Sequence, residues 1–332
     1  MPVESKLPVT FSLTANNEST IQQFYENGLL IAQNEDLVQW RKLVQSAHSG
    51  VNEAIIEWRN THEQYPLPNE WSEMLPIAVS GAATYAPLMA IALSGVESRR
   101  AKFNNQLAIL DDILYPRNWN RAGKTILADF PTTLAFVYQG LHGSVCLVTD
   151  QLDVAIKLIN TRIEFPGSRE SITLWRHHHV MGWPQAFEGT CTTGWNTLSR
   201  LPEQWTWLDG IFGDADEYKA ALCAYYMALN VFEYIETLAS DGLKALSEGN
   251  MTLDIPLCFE SMSNDIKRRG YRLLTANPEA ITQLWRKHSI EDKIVKQNWL
   301  TWINVCNRWL GNVYKGRVSG VTHKKLLDEI LS

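Results

Sequence analysis

Three consecutive histidines, His177-His178-His179, are the residues in this sequence that most invite a chemical role. They lie in a segment, 166–207, that also carries Arg169, Glu170, Trp175, Arg176, Trp183, Cys191, Trp195, Trp205 and Trp207. A metal site needs donors that converge on one point. On a helix, adjacent side chains point about 100° apart, so the triplet could not close on one ion. On an extended stretch His177 and His179 would share a face, and Glu170, Glu188 or Cys191 would have to complete the set. That spacing matches no closed zinc pattern, so no metal is expected, and His177 and His179 are the candidates should one bind.

The same segment reads more readily as a contact surface. Arg and Trp dominate binding hot spots, which makes Arg169, Glu170, Trp175, Arg176, His177, His179 and Trp183 the binding-surface candidates. Alternatively, the tryptophans lock a long connection onto the body of the fold. An enzyme or ligand module centred here would use His177 or His179 as acid, base or ligand, supported by Arg169 and Glu170.

Elsewhere the chemical signals are fragmentary. His142 and Cys146 stand four apart on an expected helix, which is half a zinc site at most. Gly123-Lys124-Thr125 matches the end of a phosphate loop, but Asn118 occupies the position of the required earlier glycine and no apolar strand leads in. Cys191 and Cys223 could serve as nucleophiles only if a histidine met them in space. No Gly-x-Ser-x-Gly or Gly-x-Gly-x-x-Gly motif occurs. No catalytic residue and no cofactor is therefore assigned.

Charge is distributed unevenly. Residues 260–332 hold thirteen Lys and Arg against seven Asp and Glu, a balance of +6; the whole chain carries −6, which leaves −12 on residues 1–259. The basic part offers Lys267, Arg268, Arg269, Arg272, Arg286 and Lys287 as surface candidates, with Trp285 and Trp299 among them. Basic residues interleaved with aromatics could hold phosphates and bases. They could equally dock on an acidic protein, including the acidic part of another copy of this chain. An acidic chain without a dense basic run favours a protein partner over nucleic acid.

The elements that must position these groups are helices. From Asp214 to Ser240, the residues Tyr218, Leu222, Tyr225, Leu229, Phe232, Ile235 and Leu238 recur every three or four positions, after an acidic start at Asp214 and Glu217. From Glu291 to Tyr314, Val295, Trp299, Trp302, Cys306, Trp309 and Val313 form a heptad seam. Asn277-Pro278-Glu279 starts a short helix ending near His288. Less regular patterns mark helices over 18–33, 35–63, 97–114, 131–149, 152–164, 184–199, 255–274 and 322–331. The expected fold is all-α: a multi-helix array of antiparallel helix pairs, either a superhelix of the tetratricopeptide kind or an irregular bundle. Gly143 and Ala155 have the tetratricopeptide spacing, while Pro166 falls one position early.

Residues 74–96 contain no charge and are long enough to cross a bilayer, but Pro76, Gly81, Pro87 and Gly95 favour two short buried helices broken near Gly81 and Pro87. The chain divides into an N-terminal arm (1–16), an acidic helical array (17–250) and a basic, Trp-rich part (251–332) on the same body. Five scattered cysteines suit a reducing compartment, and no secretory leader is visible, so a cytoplasmic location is expected. Thirteen tryptophans, stacked helices and no recognisable active site point to a non-catalytic scaffold, adaptor or sensor subunit.

Overall fold

A computed structural model describes residues 18–64, 71–103, 105–119, 130–164, 171–173, 201–202, 205–240, 263–276, 278–314 and 326–331. Helices dominate them: α1 (Glu18–Gln33), α2 (Leu37–Glu63), α3 (Trp71–Glu97), α4 (Gln106–Leu114), α5 (Phe130–Val148) and α6 (Leu152–Ile159), then α7 (Ala215–Ser240), α8 (Asn264–Thr275), α9 (Pro278–Arg286), α10 (Asp292–Tyr314) and α11 (326–330). The all-α fold is thus the fold of the protein.

Two helices form the axes of the packing. α3 packs against α1, α2, α4 and α5; α7 packs against α5, α8, α9 and α10. α5 touches both, and a single cluster of buried side chains runs from Ile21 to Ile330. α7 carries the expected stripe from Tyr218 to Ile235, but burial is not confined to it: Ala221, Ala224, Tyr226, Met227, Val231 and Tyr234 on its other faces are buried too. A helix apolar all round belongs at the centre of a packed protein. Its start is fixed by the Asp214 carboxylate, which accepts from the backbone N–H groups of Asp216 and Glu217, both at 2.8 Å. The Glu217 side chain does not return to the cap; it accepts from Arg269 on α8 at 2.9 Å.

The heptad seam of α10 docks on α7 through its first half. Val295, Trp299 and Trp302 are buried, and the Tyr234 ring lies 5.1 Å from Trp299 and 5.7 Å from Trp302. The Trp302 indole N–H donates to the Asn230 carbonyl oxygen at 3.1 Å, and the Tyr234 hydroxyl donates to the Val295 backbone carbonyl. Each ring thereby buries its apolar body while its polar edge keeps a partner.

Three expectations are corrected. Residues 74–96 are one continuous helix, α3, running through Pro76, Gly81 and Pro87. An interior proline costs about 3 kcal/mol of helix stability, yet from Ala86 to Val96 the side chains are almost all buried and that packing outweighs the break. Val79–Glu97 is long and apolar enough to cross a membrane, but 89% of it is buried inside the protein, the burial of a core helix. The second correction concerns 97–114. Arg99 adopts a left-handed φ of 55°, so the chain leaves α3, forms the 3-10 turn Ala101–Phe103 and restarts at Gln106. Phe103 is fully buried and meets the Trp40 ring edge-on at 5.2 Å. Third, the helix expected over 152–164 ends at Ile159. Arg162–Glu164 (β1) then pairs antiparallel with Ser171–Thr173 (β2), Ile163 facing Ile172 in register. β-branched residues in both segments favour the extended form.

Gly143 and Gly270 set how closely neighbours approach α7. A Cβ on Gly143 would run into the buried ring of Tyr225, and one on Gly270 would stand 2.7 Å from the Ala220 carbonyl oxygen. The spacing that placed Gly143 in a repeat pattern therefore has a local cause, the passage of α5 over Tyr225. Gly143→Ala is expected to destabilise the protein by about 1–3 kcal/mol, because a close-packed core absorbs one extra carbon poorly. Thermal unfolding followed by circular dichroism should show a melting temperature lower by several degrees; an unchanged value would mean that α5 does not pack on α7 this closely.

Candidate functional site

A concave site lies on the flank of α7, where α6 and α9 approach from two sides. It encloses about 430 Å³, within the roughly 300–1,000 Å³ of small-ligand sites. The floor is apolar: Ile156 from α6, Phe232 and Ile235 from α7, Ala280 and Leu284 from α9. Phe232 and Ile235 face it because they stand three residues apart on α7, within one turn of the same face. α9 presents Leu284 in the same way, while Ile281 and Trp285 anchor it in the core and the Trp285 indole N–H donates to the Asp292 carboxylate at 2.7 Å.

The rim is charged. Asp153 and Lys157, one turn apart on α6, pair at 3.5 Å; both are well exposed, so water screens the pair. Glu236 pairs with the His288 ring Nε2 at 3.0 Å, joining α7 to the turn after α9. Two cations remain. Arg286, in the last turn of α9, and Lys287, just beyond it, are exposed and make no ion pair among the described residues. The site is therefore a greasy floor with two uncommitted positive charges at its lip. Such an arrangement accepts an apolar body carrying an anion.

The sequence candidates fall into three groups. Arg169, Glu170, Trp175, Arg176, His177, His179 and Trp183 lie outside the described residues, as does Gly123-Lys124-Thr125. Of the six basic candidates, Arg286 and Lys287 border the groove, and Arg268 and Arg272 are exposed on α8. Arg269 is committed to Glu217 and Asp265, at 2.9 and 3.0 Å. Lys267 is a correction: it is only 6% exposed, because it lies on the face of α8 that packs on α7, so it is not a surface cation. Trp285 and Trp299 are buried as well and stack on nothing outside the protein. Neither of these two rings is therefore available to stack on a base.

His142 and Cys146 do share a face, with the Cys146 Sγ 3.6 Å from the His142 Nδ1. Both are fully buried. Burial in an apolar surrounding disfavours charge on either: it pulls the His142 ring down to about 3 and pushes the Cys146 thiol well up. A neutral imidazole beside a neutral thiol is a packing pair and not a nucleophile. Cys223 behaves likewise, its thiol pushed up to about 12 by burial. No group of three potential metal ligands occurs among the described residues.

Sequence reasoning missed Ile156, Lys157, Phe232, Glu236, Leu284 and His288 as neighbours in one site. Each sits in an ordinary helical pattern, and their convergence arises from three helices far apart in the chain. The one signal was the adjacent pair Arg286-Lys287 at a helix end, beside a histidine. The chain matches no protein-family model, no curated protein and no solved structure.

The buried imidazole has a measurable consequence. His142 is neutral in the folded protein down to about pH 3, whereas the unfolded chain protonates it near 6.5. Between those values the unfolded state binds the extra proton, so stability falls as pH drops, by about 1.4 kcal/mol per unit. His142→Leu should lose less stability than the wild type between pH 6.5 and pH 4. Parallel denaturant titrations at the two values would read the difference; equal losses would contradict a buried neutral ring.

Proposed function

We propose that this protein acts by binding and not by catalysis: a helical scaffold, adaptor or sensor subunit that receives part of a partner protein in the groove between α6, α7 and α9. The observation that carries this reading is the placement of Arg286 and Lys287, unpaired among the described residues, at the lip of an apolar floor. An exposed cation gains little from surface pairing, so two of them beside a concave apolar surface give direction and register to an incoming acidic element. The floor residues Phe232, Ile235 and Leu284 belong to rigid helices, so the surface needs little ordering before it binds. The partner chemistry that fits is an apolar side chain or short helical turn flanked by a carboxylate.

A second reading follows from the enclosed volume. About 430 Å³ would also hold a small molecule with an apolar body and one anionic group. Native mass spectrometry of the purified protein separates the two, since a bound small molecule adds a discrete mass.

The full chain and its Arg286→Glu/Lys287→Glu variant should differ as baits. Reversing both charges leaves the floor intact but opposes an acidic element, so proteins captured by the wild type should be lost from the variant. Their capture by the wild type should weaken as salt rises. Identical capture by both baits would refute the groove as the docking point.

A further inference from the structure

Packing alone leaves the His142–Cys146 pair of α5 under-compensated. Both side chains are fully buried, and the Cys146 Sγ stands 3.6 Å from the His142 Nδ1. The other ring nitrogen, Nε2, is buried without a hydrogen-bond partner. The contact with sulfur is therefore the polar interaction left to this ring, and a thiol is a weak hydrogen-bond partner. It offsets little of the cost of burying an imidazole, whereas a metal–nitrogen bond at Nδ1 would offset far more. The spacing fits such a bond. Bonds of roughly 2.0 Å to imidazole and 2.3 Å to thiolate, set at a tetrahedral or trigonal angle, leave nitrogen and sulfur about 3.5–3.8 Å apart. A second group supports an ionised sulfur: the Ala155 backbone N–H, on α6, donates to it.

We infer that His142 Nδ1 and Cys146 Sγ bind a soft monovalent metal ion, of which cuprous copper is the biological example. Thiolate and imidazole suit soft and borderline ions, and not hard ones such as calcium or magnesium. Charge decides among the rest. On binding, the thiol proton leaves to solvent as the sulfur–metal bond forms, and the imidazole stays neutral with its proton on Nε2. A monovalent ion with one thiolate then carries no net charge, which an apolar interior accepts. Zinc would keep one positive charge, and no third His, Cys, Asp or Glu converges on the pair among the described residues. Asp153 acts on the sulfur from the first turn of α6, but it is exposed and paired with Lys157 at 3.5 Å. The route inward is short. A recess of about 310 Å³ at the ends of α5 and α8 and the start of α6, walled by Leu147, Leu152, Leu273 and Leu274, has Cys146 in its lining. It also has room for a water as third ligand.

Four of the five cysteines lie elsewhere in the chain, so the test is a difference. Cuprous ion, buffered by a competing chelator in the absence of oxygen, is titrated into the full-length wild type, Cys146→Ala and His142→Leu. Both replacements are apolar and close in size to what they replace, and circular dichroism should show unchanged helicity. The wild type is expected to hold one equivalent more than either variant. Zinc titrated in the same way should show no such difference. Equal copper stoichiometry in the three proteins would overturn the inference, and a difference in zinc would overturn the charge argument that selects the ion. Should a variant fail to fold, the copper-edge X-ray absorption spectrum of the wild type at one equivalent decides. Imidazole nitrogen together with sulfur is expected around the ion; sulfur alone or imidazole alone would contradict the assignment.

Discussion

The structure depends on α7 being buried on every side. A helix with no wet face must be surrounded, and α5, α8, α9 and α10 do this. Complete burial requires that every polar group on the helix be matched and that neighbours come close without collision. Asn230 meets part of the first demand, its side-chain oxygen taking the Trp302 indole N–H while its amide N–H groups find no partner among the described residues, and Tyr234 meets it by donating to the α10 backbone. Gly143 and Gly270 meet the second, one letting α5 pass over Tyr225 and the other bringing α8 against the backbone of α7. The same demand explains the aromatic richness. Trp285, Trp299 and Trp302 are buried around one axis, and the indole N–H groups of Trp285 and Trp302 donate to the side chains of Asp292 and Asn230.

Periodicity made the helices legible because it reports the one thing a helix must do, which is bury a face. The limits of α1 and the starts of α2 and α7 were readable to within a residue or two, since Asp36 and Asp214 are caps whose carboxylates accept from the next N–H groups. Where tertiary packing competes with local preference, the reading failed. Pro87 and Gly81 argued for a break in α3, but a segment enclosed on both flanks stays helical because unwinding it would expose buried surface. Arg99 and the β1 residues erred the other way: the pattern continued while the chain turned. A left-handed residue or a two-stranded pairing leaves little periodic trace.

The candidate site was legible only as a pair of adjacent cations. Arg286 and Lys287 stood out by charge, yet charge alone also singled out Lys267, which the packing of α8 on α7 hides. What separates them is the side of the helix each occupies relative to a neighbour not yet known. The floor of the groove was invisible for a related reason. Phe232 and Ile235 look like any members of the α7 stripe, and only the arrangement of α6 and α9 decides that they face a recess and not another helix.

That recess follows from helix lengths. α6 runs from Leu152 only to Ile159 before the chain turns into β1, and α9 ends at Arg286. Two short helices flank a long one and leave a recess between them beside α7, in which Phe232 and Ile235 remain almost fully buried and Glu236 stands at the edge. The end of α9 also concentrates charge where it matters: basic residues in a last turn interact favourably with the helix dipole, which makes Arg286 and Lys287 inexpensive to keep there without a partner. The helix end offsets part of that charge and leaves the donors of both side chains exposed at the edge of the recess.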